Sequence, residues 1–534
     1  MNETDVIIIG AGHNGLTCAA YLASSGLRVR VVERRKVIGG ATVTEEFHPG
    51  FRNSVAAYTV SLLNPKVIAD LRLTERGLKI VERRAQNFLP SLDDRHLLTG
   101  EGRTLPSLAK LSARDAETFP AFAQKLQAIA DVLRHFVLRA PPNLVEGLGA
   151  PAIREAFHAV EAANILRRLS LEQKRDLLDL FTRSAGEILD EWFESDLVKA
   201  LFGFDAIVGN YASPYAAGSA YVMLHHAFGE VNGKKGVWGH AVGGMGAISQ
   251  AISDAAREHG ADIETGRGVR EVIVEKHRAA GVILDDGETI RARYVASSIN
   301  PKLLYTRLIP PQALPETFLT RIGNWRNASG TFRMNVALDA LPSFAALPGS
   351  GDHLTAGIIL GPSLGTMDRA FRDARDHGWS REPVIELLIP STLDDTLAPA
   401  GAHVASLFCQ HVAPELPDGK SWDDHRADVA DLMIATVDKY APGFAQSVVG
   451  RQILSPLDLE REFGLLGGDI FHGALTLNQL FSARPMLGYA DYRGPLKGLY
   501  HCGSGAHPGG GVTGAPGHNA AKVILRDHRA LFAT

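Results

Sequence analysis

Residues 5–9, DVIII, form a short apolar run that ends in Gly10-Ala11-Gly12-His13-Asn14-Gly15. An alanine- and leucine-rich stretch follows over 16–25 and closes at Gly26, and a second β-branched run, RVRVV at 28–32, ends on Glu33. This order reads as strand, turn, helix, strand. A lone G-x-G-x-x-G is a weak signal. Between a strand and a helix, with an acid 18 residues past Gly15, it specifies a dinucleotide-binding unit. Gly10 permits the tight turn, Gly12 lets the backbone approach a pyrophosphate, and Gly15 lets the helix pack closely on the strand. The helix N-terminus, with Ala11 and Asn14 in its loop, offers N–H groups and partial positive charge to the phosphates. Glu33 would accept hydrogen bonds from the ribose hydroxyls.

The α/β pattern recurs twice. Gly243-Gly244-Met245-Gly246 precedes an alanine-rich helix ending at Gly260, and strand-like runs follow at 262–264, 269–275, 280–284 and 288–296. Asp285-Asp286-Gly287 marks a hairpin between the last two. The C-terminus again runs strand, glycine loop, helix, over 498–501, 503–514 and 515–525. Between these lie helical segments. Phe122, Leu126, Ile129, Leu133 and Phe136 share one face of a helix within 105–140, which Pro141-Pro142 stops. Residues 151–202 also read as helical, and 301–455 mix strand and helix patterns in no legible order. The simplest arrangement is α/β: a Rossmann-type nucleotide domain assembled from 1–100, 241–300 and 456–534, with a mixed substrate domain inserted as 101–240 and 301–455.

Composition narrows the class. The 534 residues are 45% hydrophobic and 21% charged with net charge −4, which suits a globular protein and not a nucleic-acid binder. No stretch approaches about 18 uninterrupted apolar residues, so membrane contact is peripheral at most. The chain enters its first strand by Asp5, leaving no room for a signal or transit peptide, so a cytoplasmic location is expected. Cys18, Cys409 and Cys502 are far apart in sequence, which leaves no close dithiol and no cysteine-rich zinc site. His225-His226 lies in a helical stretch without matched ligand spacing, so it reads as core or surface histidine and no metal is expected.

The cofactor reading favours FAD over a nicotinamide. A glycine pair, Gly39-Gly40, follows Glu33, the C-terminus carries a second glycine cluster, and no second G-x-G-x-x-G is present. Arg34 and Arg35 follow the acid, but adjacent arginines on a surface turn are common, and a 2′-phosphate reading is not adopted. Taken together, Glu33-x5-Gly39-Gly40, Gly243-Gly244-Met245 and the tail from Leu499 to Gly517 resemble the phytoene desaturase-like branch of the flavin amine oxidase superfamily. The phrases Ala212-Ser-Pro-Tyr-Ala-Ala-Gly218 and Gly468-Asp-Ile-Phe-His-Gly473 extend the resemblance over nearly the whole chain.

The resemblance implies an FAD domain roofed by a substrate domain. Gly10, Ala11, Gly12, Asn14 and Gly15 would hold the pyrophosphate and Glu33 the ribose, with Gly39, Gly40 and Ala41 along the phosphate and ribityl side. Val269 would meet the adenine through its backbone. Gly503, Gly511, Val512 and Thr513 would face the ribityl chain and pyrimidine edge, where a helix N-terminus favours negative charge. Ala41 stands where many relatives have arginine, so Arg34 or Arg35 would supply that phosphate contact, and the acid many relatives carry near Gly505 is absent. Cys502 occupies a strand slot that relatives fill with small residues, so the flavin is read as non-covalent.

Flavin oxidations place the hard chemistry on the cofactor, and a set of catalytic side chains is not required. Arg333 sits near the position of an amine oxidase lysine and is the one catalytic candidate; an ordinary edge arginine is the competing reading. Trp238 and His240 precede the central glycine pair and are candidates for the substrate pocket. The branch implies desaturation or oxidation of a largely apolar small molecule, with oxygen or a quinone as electron acceptor. The alternatives are an amine oxidase releasing hydrogen peroxide, with tyrosines 211, 215 and 221 available for an aromatic cage, a non-redox isomerase using reduced FAD, and a flavoprotein with a mainly regulatory role.

Overall fold

The computed structural model describes residues 4–143 and 150–532. Its first sheet runs Asp262–Thr265, Val29–Glu33, Thr4–Ile9, Thr289–Ser297, Leu499–His501, all parallel, with Val6 opposite Val29 and Ile9 opposite Ser297. Val6 through Ile9 are all buried, as strands of a parallel sheet covered on both faces must be. One face carries the helices His13–Ser24, Gly246–Glu258 and Ala515–Phe532, whose alanines pack into a shared core. Thr289–Ser297 extends beyond the parallel layer and pairs antiparallel with Arg278–Leu284, which pairs with Val269–Glu275. That meander covers the other face. The fold is thus the expected Rossmann-type α/β unit.

The second sheet is ordered Val448–Leu454, Phe332–Leu338, His403–Val412, Trp379–Leu388, Gly357–Leu360, Asn87–Pro90, His96–Leu98. Its pairs are antiparallel except Asn87–Pro90 against Gly357–Leu360. The helix Trp422–Tyr440 packs on one side, and a helical layer that includes Ala113–Val137 and Asp196–Ile207 packs on the other. The expected helix over 105–140 is two helices, Thr104–Leu111 and Ala113–Val137, parted at Ser112, whose hydroxyl caps the Asp115 N–H. Phe122, Leu126, Ile129 and Phe136 are buried as their spacing implies, and Leu133 is half-buried against the same core.

The domain boundaries expected at 100 and 300 do not match these sheets. Asn87–Pro90 and His96–Leu98 form the edge of the second sheet because their hydrogen-bond partners lie in Gly357–Leu360 and in each other. Residues after 300 stay with the first sheet, where Leu304, Tyr305, Phe318 and Ile322 pack under the meander. Among the described residues no helix is long and apolar enough to cross a membrane.

Candidate functional site

One cavity of about 390 Å³ runs from the carboxyl ends of the parallel strands toward the second sheet, the place where open α/β sheets bind ligands. Its first end is lined by Ile9, Gly10, Gly12, Glu33, Arg34 and Val269. Glu33 is buried there. Its Oε2 accepts the Ala11 N–H at 2.8 Å and its Oε1 accepts the Arg35 N–H at 2.9 Å, which fixes the carboxylate at the mouth of the turn. The middle carries His13, Asn14, Gly40, Ala41, His472 and Ser504. The other end is apolar and aromatic, with Tyr58, Leu62, Val208, Trp238, Phe408 and Phe471 beside Gly511 and Val512.

Eleven of the residues singled out in the sequence for the cofactor therefore share this cavity: Gly10, Gly12, Asn14, Glu33, Arg34, Arg35, Gly40, Ala41, Val269, Gly511 and Val512. The other five stand behind its wall. Ala11 presents its N–H to Glu33. A Cβ on Gly15 would lie 2.2 Å from the Gly10 carbonyl oxygen, and one on Gly503 would lie 2.2 Å from that of Ser298, so both are packing glycines. Gly39 bridges Gly12, and the Thr513 hydroxyl accepts the Ala515 N–H.

The middle of the cavity holds polar atoms with no partner. His13 Nε2, Asn14 Oδ1 and His472 Nδ1 are buried and unsatisfied, a costly state that a bound polar group would relieve. Burial pushes the His13 imidazole down to about 3 and that of His472 to about 4, so both stay neutral. His472 and Val512 also hold left-handed backbone, at φ 57° and 58°. For β-branched Val512 that is strain of the kind found where a ligand is gripped. The glycine turn, the helix N-terminus and these orphaned groups suit a dinucleotide with its pyrophosphate at Gly12. Sequence reasoning passed over His13 and His472, although His13 stands inside the glycine loop itself.

Each arginine following the acid is tethered through its Nη2. Arg34 donates to the carbonyls of Arg461 and Glu462 at 3.1 and 3.0 Å. Arg35 donates to both Glu45 oxygens and lies over the Phe463 ring. Both still line the cavity, and Arg35 Nη1 is buried without a hydrogen-bond partner.

A different arginine holds the loop beside the cavity. Arg484 is fully buried and donates to the carbonyls of Phe471, Gly473, Gln479 and Ser504. Burial lowers its pKa to about 10, with Asp469 opposing, so it remains a cation. Arg484→Met is expected to cost about 3–5 kcal/mol, because it leaves buried carbonyls unpaired and Asp469 without its counter-charge. A urea titration measures this, and a midpoint equal to the parent's would refute the clamp.

Several expectations require correction. Arg333 does not line the cavity. It is not an edge residue by position: its strand is flanked on both sides, it is fully buried, and it bonds the Leu407 carbonyl and the Ser406 hydroxyl. Trp238 reaches the cavity but His240 does not, because its Nε2 is held 2.9 Å from Asp394. His226 lines the cavity and its ring stacks near Trp238, while tyrosines 211, 215 and 221 stay outside. Cys18 and Cys502, far apart in sequence, meet in the core, and the hydrogen bond between them and burial raise the Cys18 thiol well above its ordinary value. This is a buried contact of two free cysteines, not an exposed reactive dithiol. Among the described residues no group of three or more His, Cys, Asp or Glu is placed to hold a metal ion.

Comparison with known proteins agrees with this geometry. Residues 15–333 match the family model described as flavin containing amine oxidoreductase. The chain is 42% identical to pyridine nucleotide-disulfide oxidoreductase domain-containing protein 2 of Rattus norvegicus, over 98% of this chain and 94% of that one. It is 23% identical to the phytoene desaturase (lycopene-forming) of Pseudescherichia vulneris, over 98% and 99%. Among solved structures, cyclohexylamine oxidase from Brevibacterium oxydans shares the fold at a TM-score of 0.60 and 18% identity, covering 99% of this chain and 100% of that one.

Proposed function

Because the chain belongs to the flavin containing amine oxidoreductase family, in its phytoene desaturase-like branch, we propose that this FAD-dependent oxidoreductase dehydrogenates an apolar small molecule. The observation that carries the reading is the cavity's far end, where Leu62, Val208, Phe408, Ile470, Phe471 and Val512 form the wall. The two acids on the cavity lining, Glu33 and Glu462, belong to the opposite end. An apolar substrate gains about 25 cal/mol for each Å² it buries against such a wall. FAD, when bound, supplies the hydride acceptor.

The chain's own residues divide the remaining work. Gly10 and Gly12 would admit the pyrophosphate, with His13, Asn14 and His472 as its polar surround. Glu33 would hold the ribose and Val269 the adenine. Gly511 and Val512, just before the helix Ala515–Phe532, would meet the flavin ring. Tyr58, Trp238 and His226 would orient the substrate and exclude water. Cys502, buried and outside the cavity lining, leaves the cofactor non-covalent in this reading. Oxygen or a quinone is the proposed electron acceptor.

The test is optical. Purified protein is expected to absorb near about 370 and 450 nm, and an apolar alkene or polyene substrate should bleach the longer band without oxygen. Rapid recovery in air marks oxygen as acceptor, and slow recovery a quinone. Bleaching by amines with release of peroxide, and not by apolar molecules, would replace this reading with the amine oxidase one. Flavin bands that no substrate bleaches would favour an isomerase or a regulatory flavoprotein.

A further inference from the structure

Three aromatic rings, Tyr58, Trp238 and Phe408, line the apolar end of the cavity, and a buried arginine stands behind each. The Arg333 guanidinium carbon lies 4.4 Å from the Tyr58 ring centroid and 5.9 Å from that of Phe408. That of Arg83 lies 5.8 Å from the Trp238 ring. The arginines are 0% and 7% exposed respectively, and neither lines the cavity. A guanidinium keeps its proton in proteins, so these are two permanent positive charges in a wall of low dielectric.

Glu386 is the carboxylate both arginines face. The Tyr58 hydroxyl donates to its Oε2 at 2.6 Å, and its Oε1 stands 3.9 Å from Arg83 Nη2. The next acid, Asp205, is pushed up to about 8 by burial and by the Glu386 carboxylate, so it is largely protonated at neutral pH. Burial likewise keeps His226 uncharged. Arg333 is otherwise held by uncharged groups, the Leu407 carbonyl and the Ser406 hydroxyl. Two guanidiniums against one carboxylate leave the wall with an excess positive charge.

We propose that the apolar end of this cavity takes apolar carboxylates and rejects the matching ammonium ions, with Arg83 and Arg333 setting the preference from behind the rings. An aromatic wall attracts an ammonium through the ring quadrupole. Here the rings already serve a cation each, and a second cation meets uncompensated positive charge. A carboxylate at the same place is attracted, and the field is strong because water is excluded. The inference rests on the dehydrogenation reading for the location of the substrate, and it narrows the substrate from any apolar molecule to one with an acidic head group.

The experiment titrates the FAD-loaded protein at neutral pH with octanoate, octanol and octylammonium, reading the perturbation of flavin absorption. Octanoate is expected to bind about tenfold tighter than octylammonium or more, with octanol between them. Glu386→Gln, which keeps a partner for the Tyr58 hydroxyl and removes the anion, should widen the ratio, and Arg333→Met should narrow it. Octylammonium binding as tightly as octanoate overturns the proposal, as does octanoate binding no tighter than octanol. A flat response to all three also overturns it, since no apolar site is then present. The order is read without turnover, so its failure is distinct from a failure to bleach the flavin.

Discussion

Gly12→Ala is expected to give a protein that folds as well as the parent and carries almost no flavin. Gly12 is the N-cap of the first helix with φ −68° and ψ 164°, a conformation open to any residue. The nearest heavy atom to an added Cβ is the Gly39 carbonyl oxygen at 3.9 Å, an ordinary contact. The methyl group therefore costs the empty fold little. It occupies the space through which the pyrophosphate must approach the turn. A steric cost of about 3 kcal/mol against bound cofactor lowers FAD affinity by roughly 100-fold. Gly15→Ala differs in kind. Its Cβ would lie 2.2 Å from the Gly10 carbonyl oxygen and 2.9 Å from Ser298 Oγ, so helix and strand must part and stability falls together with flavin content. Flavin absorbance per chain, with the melting temperature of flavin-stripped protein, separates the two variants. A Gly12→Ala protein that purifies with the parent's flavin content would show that the pyrophosphate does not lie at this turn.

Acid should unfold this protein at mild pH. Six histidines, His13, His225, His226, His411, His501 and His507, are buried. Burial pushes the first, second, fourth and fifth down to about 3, and His226 and His507 to about 4. In the unfolded chain each recovers a pKa near about 6.5. The folded state therefore binds fewer protons, and its stability, fully present above the unfolded value, is lost as pH falls toward the folded values. Each histidine costs about 1.4 kcal/mol by pH 5.5, and six cost about 8 kcal/mol, which is comparable to the whole stability of an ordinary domain. A far-ultraviolet circular dichroism titration should show cooperative unfolding between about pH 6 and 5. Bound FAD should move the midpoint to lower pH by mass action. A protein still folded at about pH 4 would mean these imidazoles are protonated inside the fold.

The same two results show why some residues could be found by reading and others not. Gly12 and Gly15 announce themselves because strand, turn, helix and acid are contiguous, and each residue's role follows from its neighbours in the chain. The meander from Val269 to Ser297 was legible for the same reason, its hairpin marked by Asp285-Asp286-Gly287. His13 was present in the loop, but its role depends on His472, which lies 459 positions later and faces the same cavity. Tyr58 and Glu386, 328 positions apart, meet only through the second sheet. Cys18 and Cys502 looked unrelated by spacing and are in contact.

The sequence by itself determined the dinucleotide unit, the acid at the end of its second strand, the two returns of the α/β pattern and the branch of flavoproteins the chain resembles. These depend on turn geometry, helix packing and hydrophobic period, all local. Tertiary structure alone decided that Asn87–Pro90 joins the second sheet, that Arg34 and Arg35 are tethered by Arg461, Glu462 and Glu45, and that Arg333 stands behind Tyr58 instead of in the cavity. Hydrogen bonding and burial in these cases join residues whose separation along the chain carries no periodic signal. The charge behind the cavity's aromatic wall is therefore a property of the folded molecule, set by which buried groups come to share it.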